Sequence, residues 1–265
     1  MYTRFQLAKK YINYYFSASN GKGHGIHSPF VYDFIIHVLN DKNKYACYKD
    51  IEKKRKELLS NENVIEVEDF GAGSTVLPFK QRRIKDIAAS SLKPRKFAQL
   101  LYRIAQYYNT QTIVELGTSL GITSMYLAST KQKPAVYTLE GAPAIAQIAS
   151  NNFKNANLNN LYLATGSFEK TLPDILRKIE KADLLFIDGN HRKTATLEYF
   201  EMFLSKKNDQ SIFIFDDIHW SKEMEEAWHT IQQHSAVTLT IDLFFIGLVF
   251  FKKDFKIKQH FTIRF

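Results

Sequence analysis

Three aspartates and a histidine, Asp188, His191, Asp216 and Asp217, are the residues of this chain whose types and spacing best suit chemistry. Asp183-Leu-Leu-Phe-Ile-Asp188-Gly-Asn-His191 reads as an apolar strand that delivers Asp188 at its carboxyl end. Ser211-Ile-Phe-Ile-Phe-Asp216-Asp217 repeats the device with two carboxylates. Ligands of open α/β sheets collect at that end of the strands, and side-by-side like charges are costly unless a cation or protons neutralise them. Three hard oxygen donors at the ends of two neighbouring strands outline a magnesium site, because that ion keeps waters and needs few protein ligands. His191 lies three residues beyond Asp188. With an unperturbed pKa near ~6.5 it is largely neutral at pH 7 and could take the proton of a metal-polarised hydroxyl, or it could simply cap the helix that follows. His219 and Trp220 could line an acceptor pocket, or serve as a satisfied polar residue and a packed aromatic.

A second constellation lies upstream. In Ile113-Val-Glu115-Leu-Gly117-Thr118-Ser119-Leu-Gly121 an apolar run suits a buried strand, two glycines permit a tight turn against a ligand, and Ile122 to Ser129 has helical character. A second strand, Ala135 to Leu139, ends in Glu140, whose carboxylate can accept both hydroxyl hydrogens of a ribose. This order implies a nucleoside cofactor. The dinucleotide fingerprint GxGxxG is absent, so a pyrophosphate cradle is disfavoured. Farther on, Leu161-Tyr-Leu-Ala-Thr-Gly166-Ser167-Phe168 reads as a strand ending in a small polar turn.

The E-x-G-x-x-x-G form, followed by an acidic strand end, resembles motifs one and two of class I methyltransferases, and the resemblance covers roughly residues 90 to 252. It implies S-adenosylmethionine as cofactor. Glu115, Gly117, Thr118, Ser119 and Gly121 would form its methionine side, Glu140 its ribose contact, and Ser167 and Phe168 its adenine edge, with Asp188 available to the cofactor as well. The downstream acids resemble those of metal-dependent O-methyltransferases of the catechol and caffeoyl coenzyme A types, where one Asp and a later Asp-Asn pair hold the ion. Here Asp217 stands where the Asn is usual, which also resembles sugar O-methyltransferases of macrolide biosynthesis and speaks against catechol specificity. By this resemblance Asp188, Asp216 and Asp217 would hold magnesium and His191 would replace the usual lysine base, with Asp188 and His191 the catalytic pair.

The expected reaction is O-methylation of a small-molecule hydroxyl with magnesium assistance. The alternatives are a metal-free methyltransferase in which the same aspartates bind cofactor amine and substrate, and a non-catalytic nucleotide-binding or partner-binding protein on the same scaffold. The single cysteine, Cys47, excludes an intrachain disulfide and a cysteine-rich zinc cluster, which points to a reducing compartment and makes the cytoplasm the default. No signal-peptide pattern and no run of about 18 apolar residues occurs, so no membrane partner is expected. The net charge of +9 attracts phosphates without specifying them, and many cations fall in solvated runs such as Lys53-Lys-Arg-Lys56. The signatures of nucleobase methylation, Asn/Asp-Pro-Pro-aromatic and Pro-Cys, are missing, which disfavours a nucleic-acid partner.

With 265 residues and 45% hydrophobic content the chain suits one α/β domain with an appendage. The expected architecture is the Rossmann-like class I methyltransferase fold: a seven-stranded, mostly parallel sheet closed by an antiparallel hairpin (strand Val237 to Leu243, partner Gly247 to Phe251), with a helical N-terminal cap. The domain would span 61–265 and the cap or lid 1–60. Helical pieces are predicted at Phe5 to Phe16, Pro29 to Leu39, Asp50 to Ser60, over 91–108 and at Lys222 to Gln233. The cap's aromatics could support a homodimer. The glycine-rich stretch 19–29 reads as a loop, and its His24 and His27 lack the Cys or carboxylate neighbours of a metal site. Glu68-Asp69-Phe-Gly71-Ala-Gly73 mimics a cofactor loop, but Pro78 and Lys80-Gln-Arg-Arg83 follow where a cofactor-binding helix should start.

Overall fold

A computed structural model describes residues 1–67 and 80–265. The chain forms two compact units, one of Met1–Asp41 with Glu180–Phe265, the other of Lys42–Ile179. In the first unit, α1 (Arg4–Ser17) begins at a capping box: the Gln6 backbone N–H donates to Thr3 Oγ1 at 3.2 Å and the Thr3 N–H to the Gln6 side chain at 2.8 Å. One face of this helix sets Tyr11, Tyr14 and Ala18 against Phe244. Helix α2 (Pro29–Phe34) starts on a proline, whose missing N–H is no loss at a helix start, and continues into a π-helical turn, Ile35–Leu39.

The second unit opens with α3 (Ala46–Leu59), an antiparallel pair β1 (Val64–Val67) and β2 (Lys80–Arg83), then α4 (Ile84–Ser91) and α5 (Arg95–Tyr107). The cationic 80–83 run, which carries no strand pattern of its own, is thus recruited by pairing with β1. The cofactor-loop mimic Glu68–Gly73 lies outside the described residues. Next come β3 (Thr112–Leu116), α6 (Ile122–Ala128), β4 (Ala135–Glu140), α7 (Pro143–Asn155), β5 (Leu161–Thr165) and α8 (Phe168–Lys178). Strands β3, β4 and β5 pair in parallel. Parallel strands connected by helices are covered on their faces, which is why Ile113, Val114 and Leu116 are wholly buried. Ile87, Tyr102, Met125, Tyr126, Ala149 and Phe153 share one core cluster under the helices, and each large side chain buried there contributes roughly 1.5–3 kcal/mol.

The chain then returns to the first unit with β6 (Leu184–Ile187), α9 (Lys193–Leu204), β7 (Ile212–Asp216), α10 (Lys222–Gln233), β8 (Leu239–Asp242), β9 (Ile246–Phe250) and β10 (Gln259–Thr262). Strand β6 pairs parallel to β7, and β9 runs antiparallel to both β7 and β8, as the hairpin pattern predicts. Strand β10 corrects the count. Among the described residues, β3 to β10 make eight strands in addition to the β1–β2 pair, where seven are expected. Gln259-His-Phe-Thr262 is short, half-exposed and preceded by a cationic loop, so only its parallel pairing with β8 identifies it as a strand. No helix among the described residues is long and apolar enough to cross a membrane.

Candidate active site

In the second unit the glycine turn is built to hold a left-handed backbone. Gly117, Ser119 and Gly121 have φ of 105°, 48° and 85°. A Cβ on Gly121 would lie 2.5 Å from Phe153 Cε1, so only glycine fits both the backbone and the packing of α7 beneath it. The N–H groups of Gly117 and Thr118 donate to Leu139 O at 3.0 and 3.1 Å, and the Asn152 side chain donates to Leu120 O at 3.0 Å. Glu115 lies under the turn rather than at its surface. It is fully buried, and its Oε2 accepts the hydroxyls of Ser124 and of Thr138, the latter at 2.7 Å. Thr118 Oγ1 shares a 2.5 Å hydrogen bond with Thr138 Oγ1.

Glu140 meets this turn from the end of β4. Its Oε2 accepts the Ser119 N–H at 2.8 Å and its Oε1 the Ala142 N–H at 3.0 Å. Burial pushes the carboxyl up, against the backbone amides of Ala142 and Ser119, and it settles above the ordinary range. Backbone amides at Ala142, Ser119 and Gly141 do not exhaust a carboxylate's about four acceptor sites, so a hydroxyl can still be received. The register of β4 on β5 pairs Glu140 with Thr165, and the Gly166 N–H donates to Glu140 O at 2.9 Å. That brings Ser167, at the start of α8, and Phe168 to the same strand ends as the glycine turn and Glu140. All the cofactor residues inferred from the sequence, except Asp188, therefore belong to this unit.

The acid cluster is in the first unit. Ile187 pairs with Phe215, which sets the residues just beyond, Asp188 and Asp216, at adjacent strand ends. Asp188, His191 and Asp216 each offer a ligand atom, and these atoms lie within 4.8 Å of one another. His191 Nε2 is 3.8 Å from Asp188 Oδ1 and 4.0 Å from Asp217 Oδ2, so the imidazole spans the two acids. Asp216 is buried at 2% exposure. Asp217 turns its backbone left-handed at φ 53°, with its N–H donating to Phe245 O at 2.7 Å. In the loop between Asp188 and His191, Asn190 Nδ2 donates to Tyr199 Oη at 3.2 Å while its buried Oδ1 has no hydrogen-bond partner among the described residues. The carboxylates of Asp188 and Asp216 fit a hard divalent cation, with His191 beside them, and the orphaned amide oxygen suits a water carried by the ion.

His219 takes the structural alternative. Its Nε2 lies 2.8 Å from Asp242 Oδ2 and its Nδ1 3.0 Å from Glu225 Oε1, with the ring stacked on Phe244. Burial works against the charged imidazole, but Asp242 and then Glu225 outweigh it and hold the pKa above its ordinary value. Trp220 closes the loop through backbone bonds, its N–H to Asp217 O at 2.9 Å and its O accepting from the Tyr2 N–H at 3.1 Å. His24 and His27 are exposed, and neither enters the metal-ligand group found among the described residues. Burial pushes the Cys47 thiol up to about 11, which keeps it protonated and unreactive at neutral pH. Sequence reasoning missed Ser124, Thr138 and Asn152. The one signal available was Asn152 itself, a polar residue in the apolar register of Ile145, Ala149 and Phe153.

Residues 114–218 match the family model described as a methyltransferase domain. Among solved structures, the O-methyltransferase from Bacillus cereus in complex with SAH is 21% identical, over 79% of this chain and 92% of that one, with a TM-score of 0.56. The SAH-bound methyltransferase PaMTH1 from Podospora anserina is 12% identical over 96% of this chain and 98% of that one, at a TM-score of 0.60. The O-methyltransferase TomG from Streptomyces achromogenes, in complex with SAM, is 17% identical over 61% and 82%, at 0.51. No curated protein matches the sequence. The chain shares the fold of these methyltransferases, and residues 114–218 are the stretch that matches the methyltransferase-domain model.

Proposed function

We propose that this protein is a methyltransferase that takes its methyl group from S-adenosylmethionine and delivers it to a hydroxyl oxygen of a small molecule, with magnesium assistance. The observation that carries the cofactor half is the meeting of the Gly117–Gly121 turn, Glu140 and Ser167 at three adjacent parallel strand ends. Gly117, Thr118, Ser119 and Gly121 bound the methionine side, supported from beneath by Glu115. Glu140 accepts the ribose hydroxyls while it holds the Ser119 amide, and Ser167 and Phe168 border the adenine. The methyl of a sulfonium is already electrophilic, so the protein's task is to orient one oxygen and remove one proton.

Asp188, Asp216 and Asp217 would hold the metal ion, which when bound lowers the pKa of an acceptor hydroxyl. His191, within 4.0 Å of two of these acids, takes the hydroxyl proton. The closeness of His191 to Asp188 and Asp217 favours a second, metal-free reading in which these side chains engage the substrate directly. Calorimetric titration with S-adenosylmethionine, with and without magnesium and against NAD, tests the proposal. Micromolar binding of the adenosyl ligand and none of NAD is expected, with acceptor methylation stopped by a chelator and restored by magnesium. Turnover indifferent to chelation would select the metal-free reading, and failure to bind the adenosyl ligand would refute both.

A further inference from the structure

Helix α1 is apolar on two opposite faces, and only one of them is packed. At ~100° per residue, Leu7, Tyr11, Tyr14 and Ala18 form the inward face, and of these Tyr14 and Ala18 are buried against Phe244. Phe5, Ile12 and Phe16 fall within about 40° of one another on the outer side. They are 80%, 54% and 81% exposed, the largest cost in bare apolar surface on this unit's helices. Exposed Lys9 borders this stripe about 20° from Phe16, exposed Arg4 lies at the helix start about 100° around the axis from Phe5, and α1 contains no acidic residue. At its C-terminal end the Arg264 guanidinium lies 5.3 Å from the ring of half-exposed Tyr15, adding a third cation at the border.

We propose that the outer face of α1 docks the protein on an anionic lipid surface, with Phe5, Ile12 and Phe16 entering the headgroup boundary and Arg4, Lys9 and Arg264 meeting lipid phosphates. Aromatic and aliphatic side chains bordered by cations are what an interfacial helix needs, and such a helix lies in the membrane plane, so the absence of a spanning helix among the described residues does not bear on it. Charge decides the occupant. A second copy packed face to face would bring two cationic helices together with no carboxylate on α1 to offset them, and the whole chain carries +9. An anionic bilayer complements both the stripe and its border. The inference is independent of methyl transfer.

Flotation of the full chain with neutral phosphatidylcholine vesicles, and with vesicles containing about one third phosphatidylglycerol, tests it. Partitioning at least about tenfold stronger on the anionic vesicles and weakened by salt is expected. Phe5→Ser with Phe16→Ser should lower that partitioning by about tenfold while circular dichroism and the melting curve stay unchanged, since both rings are outside the packed face. Lys9→Glu should weaken it as well. Equal partitioning on both vesicle types, anionic binding untouched by the double variant, or a concentration-dependent dimer dispersed by the double variant in a chain that ignores vesicles would each overturn the proposal.

Discussion

At Gly121 a single missing side chain reconciles backbone and packing. A Cβ there would be strained by the φ of 85° and would collide with Phe153, so Gly121→Ala should cost about 2–4 kcal/mol by urea unfolding and abolish adenosyl-ligand binding. Glu140 holds the Ser119 amide, and the proposed function gives it a ribose to hold as well. Glu140→Ala should weaken cofactor binding about 10- to 100-fold in calorimetry with the fold intact, whereas Glu140→Gln, which retains one carbonyl acceptor, should lose less; equal affinity in all three proteins would remove the ribose role. For the acid cluster, Asp216→Asn with Asp217→Asn should erase the magnesium dependence of turnover, and an unaltered magnesium titration would remove these residues from the metal site. The strand-end residues Glu140, Asp188 and Asp216 were legible because an acid closing an apolar run is conspicuous. Ser124 and Thr138 were not, because small hydroxyls gain meaning only when a buried carboxylate faces them.

Among the elements, α1 shows how a helix is fastened by charge at one end and aromatics at the other. Lys10 Nζ and Tyr2 Oη both donate to Glu225 on α10, at 2.9 and 2.8 Å. Burial pushes the Glu225 carboxyl up, but hydrogen bonds from Lys10, Tyr2 and His219 outweigh it and hold it below the ordinary carboxylate value. A carboxyl lowered on folding stabilises the native state above its unfolded pKa, near ~4.3, and that contribution is lost as pH falls through the folded value. Glu225→Gln should therefore flatten the acid limb of the stability curve, lowering stability at pH 7 by about 1 kcal/mol and leaving it unchanged in strong acid. Equal losses at all pH values would assign the effect to packing instead. The helices and the closing hairpin were legible from periodicity and end signals. The cationic strand β2 and the edge strand β10 were not, since each exists through its partner rather than through its own composition.

For the molecule as a whole, ligand linkage offers the broadest check. A ligand at about 100 times its Kd adds about 2.7 kcal/mol of stability, so S-adenosylhomocysteine should raise the Tm by roughly 5–10 °C and NAD should leave it unchanged. A matching shift with NAD would overturn the cofactor assignment. The α/β class, the glycine turn, the order of strand-end acids and the resemblance to class I methyltransferases were all settled by local pattern, because strand burial, tight turns and ligand-facing carboxylates each leave a signature within a few consecutive residues. Tertiary structure alone decided that Glu115 is buried under the turn, that His219 serves as an ionic link between Asp242 and Glu225, that β10 completes an eighth strand, and that α1 turns a second apolar face outward. These depend on which distant residue supplies a hydrogen, a charge or a covering surface, and spacing along a chain does not encode the direction in which a side chain finds its partner.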